Sequence, residues 1–305
     1  MTRAERYGIR GIMAASITPF KQNGEIDEEA LRQHLGYLVQ HGVHGVVVCG
    51  SLGEFATMSV NERNRVAKVA IEEVKGKMLV SVGTGAVTTK EAIELTRTAK
   101  ALGADMAQIV TPYYIRPTTE ELVDHYAAIS KSVALPLVVY NMPDRTGVNI
   151  PASAAARLAR IPHVVGMKDS AKNMVQMMDF LRLAGDKLGL LCGNDQLLLP
   201  ALFMGAIGST TGSPNVVPWL AVGIWNHFQK ANYDEARKLQ FELNLFGTVY
   251  DLKVTQPAIL KCGLKVLNRN GGIPRLPAKP LRGNDLTTVR NVVQALARTR
   301  GEVTH

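Results

Sequence analysis

The sequence predicts a (β/α)8 barrel of the TIM type followed by a C-terminal helical extension, and three observations carry that expectation. Eight short apolar runs rich in Val and Ile recur along the chain. Each is followed by a turn and then by an amphipathic stretch of helical spacing. Beyond about Pro214 the strand signal stops and only helical patterns remain.

The runs cover 11–18, 44–49, 78–83, 105–110, 136–140, 163–168, 188–192 and 206–210. Runs of this length between turn signals read as strands buried on both faces of a parallel sheet. Between them, Ser59 with Glu62 and Thr88 with Glu91 have capping-box spacing, ahead of helices over 63–75 and 92–102. Further helices start near Asp27, Thr118, Pro151, Lys172 and Asp195. Eight strand–helix units in succession is the number that closes a parallel barrel. A doubly wound open sheet is the alternative, and it usually carries a glycine-rich dinucleotide turn after its first strand. Residues 11–21 hold no such turn, and Gly83-Thr84-Gly85-Ala86-Val87 lacks the third glycine and a later acidic partner.

After Pro214 the segments 219–230, 233–249, 255–268 and 285–298 all read as helices. The first completes the barrel, and the rest form an extension broken by the proline-rich loop 272–280. The expected units are therefore a catalytic barrel, 1–230, and a helical extension, 231–305.

Composition narrows the function classes. Of 305 residues 46% are hydrophobic and 20% charged, which argues for a folded globular protein and against disorder. The formal charge of +9 is scattered, with no Lys/Arg run and no interleaved aromatic platform. It reads as a solvated face that favours anionic substrates, not as a nucleic-acid surface. Cys49, Cys192 and Cys262 are odd in number and far apart, the pattern of reduced thiols. The polar first ten residues lack an apolar leader segment, and no apolar stretch approaches membrane length. A cytoplasmic soluble protein without a membrane partner is expected.

In such a barrel, chemistry is read from the loop after each strand, because those loops share one face. The sixth run closes in Gly166-Met167-Lys168-Asp169-Ser170. An ammonium flanked by apolar residues loses hydration, which lowers its pKa and frees the amine as a nucleophile toward carbonyls. Lys168 is thus the first catalytic candidate, although from this stretch alone a solvated surface lysine past a strand end is the default reading. After the second strand, Gly50-Ser51-Leu52-Gly53-Glu54 forms a turn whose glycines let backbone N–H groups face inward toward a carboxylate or phosphate. The fourth strand ends in Thr111-Pro112-Tyr113-Tyr114 and the fifth in Tyr140-Asn141-Met142-Pro143, with Arg145-Thr146-Gly147 just beyond. Their phenols offer proton transfer, and the arginine a planar fork for a carboxylate. Gly193-Asn194-Asp195 lies after the seventh strand and Gly208-Ser209-Thr210-Thr211 after the eighth. Together these groups suit Schiff-base chemistry on an α-keto acid. His34, His41 and His44 lack partners in metal-ligand spacing, so no metal is expected. Contacts for pyridoxal phosphate or thiamine are not discernible.

These motifs, in this order, resemble the dihydrodipicolinate synthase / N-acetylneuraminate lyase family, class I pyruvate-dependent aldolases on a (β/α)8 barrel. The resemblance runs from about Gly11 to the loop near Pro280. It implies that Lys168 forms the Schiff base, with Tyr140 as general acid/base and Ser51 and Tyr114 as proton-relay partners. It implies that Gly50, Ser51, Leu52 and Gly53 hold the keto-acid carboxylate through the Ser51 and Leu52 N–H groups. Arg145, Gly193, Asp195 and Thr210 complete the implied substrate contacts. No separate cofactor is implied beyond the covalent Schiff base, and the partners are a 2-oxo acid such as pyruvate and an aldehyde. Family members are commonly homotetramers.

Within the family, Arg145 favours a dihydrodipicolinate synthase-like condensation of pyruvate with aspartate semialdehyde. Against it, Leu52 stands where synthases usually have a second threonine. Phe55, Val60 and Val87 are apolar at positions matching the lysine-feedback site, so lysine inhibition is not expected. Gln196 and Gly212 replace residues that bind the sugar chain in sialic acid lyases. Aldolases or dehydratases acting on 4-hydroxy-2-oxoglutarate, a 2-keto-3-deoxy sugar acid or N-acetylneuraminate remain the alternative. A non-catalytic keto-acid-binding protein is the alternative of another class.

Overall fold

Eight parallel strands close into a barrel in chain order in the computed structural model, which describes residues 1–300. They are β1 (Gly11–Ala15), β2 (Gly45–Val48), β3 (Leu79–Gly83), β4 (Met106–Val110), β5 (Leu137–Asn141), β6 (Val164–Asp169), β7 (Gly189–Cys192) and β8 (Gly208–Thr211). Pairing of β8 with β1 completes the ring and bears out the predicted fold. Each observed strand lies within or overlaps one of the eight apolar runs. The first run is longer than its strand, because beyond Ala15 the Ile17 N–H leaves the ladder for the Asn215 side chain at 3.1 Å.

Helix starts track their caps. Ser59 and Glu62 form a reciprocal capping box, so the helix Val60–Val74 begins before the expected residue 63. At the helix Thr89–Leu102 only half of the expected box exists: Thr88 accepts from the Glu91 N–H, with no return bond. A complete box instead opens the helix Thr119–Ser132, where Thr118 pairs with Glu121.

Below the face that carries the loops after the strands, the barrel interior is filled by Met13, Val47, Met106, Val138, Val165 and Leu191. The polar N-terminus plugs this lower end. Its short helix Arg3–Arg6 is capped by Thr2 and Glu5, and it buries Ala4 against the lower ends of β6 and β7. A Cβ on Gly189 would lie 2.6 Å from the Ala4 methyl, so glycine at that position makes room for the plug.

The helices Tyr233–Gly247, Gln256–Val266 and Gly283–Arg298 form the extension. Leu243, Phe246, Leu260 and Val293 from these helices belong to the same apolar cluster as Ile12, Val46 and Leu220 of the barrel. Residue 230 falls between the helices Pro218–Gln229 and Tyr233–Gly247, and the last part of the expected extension, 301–305, lies outside the described residues. Among the described residues no helix is long and apolar enough to cross a membrane.

Candidate active site

Lys168 and Tyr140 meet because β6 carries a register shift. Leu137 pairs with Val164, but Val138 pairs with Gly166, so β6 gains one residue relative to β5. From there Tyr140 stands opposite Lys168. A regular ladder would put Met167 beside the tyrosine and turn the lysine to the other face. Lys168 is 4% exposed, and its Nζ lies 3.9 Å from the Tyr140 ring centroid, over a ring face that attracts cations.

Burial, the largest influence on the Tyr140 phenol, opposes its ionisation. The Lys168 charge, hydrogen bonding with Ser170 and Lys168, and the Arg145 charge together outweigh burial and leave its pKa below the ordinary tyrosine value. Ser170 is held in turn, donating to the Gly193 carbonyl at 3.2 Å. A Cβ on Gly193 would fall 2.0 Å from Ser170 Oγ, so this glycine serves the approach of β7 to β6. Next to the lysine, Asp169 accepts from Asn141 Nδ2 at 2.8 Å, and burial raises its pKa.

The turn after β2 brings Gly50, Ser51 and Leu52 to the cavity, which also holds Lys168 and Tyr140 in its wall. Neither the Ser51 nor the Leu52 N–H donates to a backbone carbonyl among the described residues. Gly53 does not line the cavity: a Cβ there would meet the Ser16 carbonyl at 3.1 Å and Thr18 Oγ1 at 3.2 Å. The left-handed dihedrals are also not those of the glycines. Cys49 (φ 55°) and Glu54 (φ 59°) carry them, one at each end of the turn.

Tyr114 departs most from the sequence expectation. Its backbone is left-handed (φ 70°), its side chain is 95% exposed in the single chain, and it takes no part in the cavity of its own chain. A relay of Ser51 and Tyr114 within one chain is therefore not formed. Tyr113 packs edge-on to Phe55 instead, with ring centroids 5.9 Å apart.

Arg145 stands in the cavity wall, with Nη2 donating to Gln256 Oε1 at 2.7 Å. Both oxygens of buried Asp195 are engaged by Ser213, through Oγ at 2.5 Å and N–H at 3.2 Å. Burial is the main reason its pKa rises. Leu52 packs over Gly212, where a Cβ would lie 2.8 Å from both Leu52 Cδ1 and the Tyr250 hydroxyl. Thr210 lines the cavity, fully buried, and its Oγ1 has no hydrogen-bond partner among the described residues.

Sequence reasoning missed Gln108, Ser170, Tyr250 and Gln256, which also line the cavity. Gln108 had a signal, a lone amide inside the apolar run 105–110, and among the described residues its buried Oε1 is unpartnered. Tyr250 and Gln256 come from the extension and had no local signal. Among the described residues no three His, Cys, Asp or Glu side chains gather as metal ligands.

Comparison with known proteins extends this geometry. The family model described as the dihydrodipicolinate synthetase family matches residues 8–296. The 4-hydroxy-tetrahydrodipicolinate synthase of Syntrophobacter fumaroxidans is 40% identical over 292 residues, covering 94% of this chain and 98% of that protein. The crystal structure of dihydrodipicolinate synthase from Thermotoga maritima superposes with a TM-score of 0.90 at 32% identity, covering 94% of this chain and 98% of that one. The chloride-inhibited dihydrodipicolinate synthase from Acinetobacter baumannii, complexed with pyruvate, matches with a TM-score of 0.88 at 32% identity, covering 97% and 100%.

Proposed function

The chain belongs to the dihydrodipicolinate synthetase family and is a lyase, and from that premise we propose that it acts as a 4-hydroxy-tetrahydrodipicolinate synthase, joining pyruvate to aspartate semialdehyde through an imine on Lys168. The observation that carries this reading is the buried Lys168 Nζ over the Tyr140 ring, at the end of the barrel where the 50–52 turn also opens. The pyruvate complex of the Acinetobacter baumannii relative supports the first substrate.

In this mechanism the Lys168 amine adds to the pyruvate ketone carbon, and the carbinolamine loses water to leave a protonated imine. Tyr140 relays the protons, its hydroxyl hydrogen bonding with Lys168. The imine draws electrons from the methyl group, which loses a proton and becomes an enamine carbon. That carbon attacks the semialdehyde carbonyl, forming the new carbon–carbon bond, and the adduct's own amine then adds to the imine carbon, closing the ring and expelling the Lys168 amine. The pyruvate carboxylate rests on the Ser51 and Leu52 N–H groups, and Arg145 meets the carboxylate of the aldehyde partner. The reading requires no separate cofactor, because the lysine itself supplies the electron sink. A cytosolic location fits the three unpaired cysteines, and a homotetramer is part of the proposal.

A second reading keeps the imine and changes the partner. Leu52 removes a hydroxyl from the carboxylate turn, while Gln108 and Thr210 bring unpartnered polar atoms to the wall. These features favour a more hydroxylated 2-oxo acid. A substrate panel decides between the two: pyruvate with aspartate semialdehyde should turn over with the highest kcat/KM. Faster turnover of 4-hydroxy-2-oxoglutarate, a 2-keto-3-deoxy sugar acid or N-acetylneuraminate would transfer the assignment to the second reading.

A further inference from the structure

Behind the 50–54 turn, on the side away from the cavity, lies a buried ion network that the reaction leaves unused. Glu54 ends the turn in a left-handed conformation, 7% exposed. Its Oε1 accepts from Lys261 Nζ at 2.6 Å, and its Oε2 from the Arg275 backbone N–H at 2.8 Å. Lys261, 3% exposed on the helix Gln256–Val266, also donates to the Ile273 carbonyl at 2.7 Å. The Arg275 guanidinium lies 4.2 Å from the Phe20 ring centroid, donates to the Thr57 carbonyl at 2.7 Å and pairs with Glu62 at 2.6 Å. Both groups that hold the Glu54 carboxylate thus come from the C-terminal extension.

A left-handed glutamate persists only where its surroundings over-determine it. Here the determinant is the carboxylate, because a buried charge that loses its partner is strongly unfavourable and the chain rearranges to rehydrate it. Glu54 is joined to the turn's N–H donors by a short stretch of backbone, its own N–H bonding to the Ser51 carbonyl at 3.3 Å. Displacement of Glu54 therefore moves the donors, and small misplacements of an oriented donor pair are costly to binding.

We propose that Lys261 is a positioning residue for the first substrate: through Glu54 it fixes the Ser51–Leu52 donor pair, so that the C-terminal extension sets the affinity for the keto-acid carboxylate. The proposal rests on the reading of that turn as the carboxylate site.

Burial, opposed by Glu54 and assisted by the Arg275 charge, lowers the Lys261 pKa to about 8. The charged groups facing it are Glu54 from the turn and Arg275 from the proline-rich loop; Glu62, on the helix Val60–Val74, acts through Arg275. Cys262 and Lys265 share its own helix, and Arg290 of the packed helix Gly283–Arg298 lines the same pocket. Above about pH 8 the amine becomes neutral, the ion pair is lost, and carboxylate affinity falls. Arginine at this position keeps its charge throughout.

The test is borohydride trapping of the pyruvate imine, read by intact mass over a pyruvate titration from about pH 7 to about pH 9.5. For Lys261→Met the half-saturating pyruvate concentration should rise about tenfold or more at neutral pH, with complete modification still reached at saturation. For Lys261→Arg it should match wild type at neutral pH and lack the wild-type rise above about pH 8. Wild-type half-saturation in Lys261→Met overturns the proposal and leaves the imine reading intact. If that variant does not fold, parallel pH profiles of wild type and Lys261→Arg overturn it. Absence of any adduct in wild type removes both the imine reading and the proposal.

Discussion

Tyr140 and Lys168 are register partners on adjacent strands, and the lysine Nζ stands 3.9 Å from the centroid of the phenol ring. The ring face restrains the amine, and in the proposed mechanism the hydroxyl carries protons beside it. Tyr140→Phe separates the two contributions, since it keeps the ring and removes the hydroxyl. We expect kcat to fall about 100-fold to 10,000-fold, while the Lys168 imine can still be trapped at long incubation. Steady-state rates beside the trapping yield check this, and an unchanged kcat would remove Tyr140 from the proton path.

The pH profile derives from the same pair. The Tyr140 pKa lies below the ordinary tyrosine value of 10.0, so tyrosinate accumulates earlier as pH rises and the hydroxyl donor is lost. The kcat/KM profile should therefore show an alkaline limb below pH 10.0 that vanishes in Tyr140→Phe. A limb at the same place in both enzymes would belong to another group.

Arg145 reaches the cavity from the loop after β5 and is steadied by Gln256 at 2.7 Å. If its guanidinium receives the aldehyde partner's carboxylate, Arg145→Ala should raise KM for that partner about tenfold or more and leave KM for pyruvate nearly unchanged. Equal increases in both would mean that the residue only shapes the loop.

Two glycines of the site should respond differently to alanine. At Gly193 the new methyl would lie 2.0 Å from Ser170 Oγ and 2.7 Å from the Asp169 carbonyl, so β6 and β7 must part. About 1–3 kcal/mol of stability should be lost, with kcat falling as Ser170 leaves Tyr140. At Gly50 the nearest atom is Val47 Cγ1 at 3.8 Å, and stability should change by no more than about 0.5 kcal/mol. Urea midpoints of the two variants test the contrast.

Acid should weaken the fold through two histidines. His34, whose Nε2 lies 2.9 Å from Asn215 Oδ1, and His125, 2.9 Å from Thr89 Oγ1, are buried, and burial lowers each pKa from 6.5 to about 4. The unfolded chain then binds more protons than the fold between those values. Stability is full above about pH 6.5 and declines as pH falls toward 4. Each histidine contributes on the order of 3 kcal/mol to the decline. Urea midpoints should drop over this window, and less steeply in His34→Gln, whose amide can keep the Asn215 bond.

The strands were legible because a strand buried on both faces must be a continuous apolar run, and the order of eight such runs leaves few topologies. Lys168, Tyr140 and the 50–52 turn were legible because chemistry in this fold sits at strand ends. The bulge that brings Lys168 to Tyr140 was not, since an extra residue inside Val164-Val165-Gly166 leaves the apolar run unbroken. The placement of Tyr114 outside the cavity of its own chain was not legible, because the motif does not disclose the path of the loop that carries it. The pairing of Glu54 with Lys261 spans 207 residues and has no local pattern.

The central claim is that Lys168 forms an imine with a 2-oxo acid, and intact-mass measurement after borohydride reduction with pyruvate tests it most directly. Wild-type protein should gain one pyruvate-derived adduct, mapped by peptide digestion to Lys168, and Lys168→Ala should gain none. An unmodified wild-type mass, or an equal adduct on Lys168→Ala, would contradict the account.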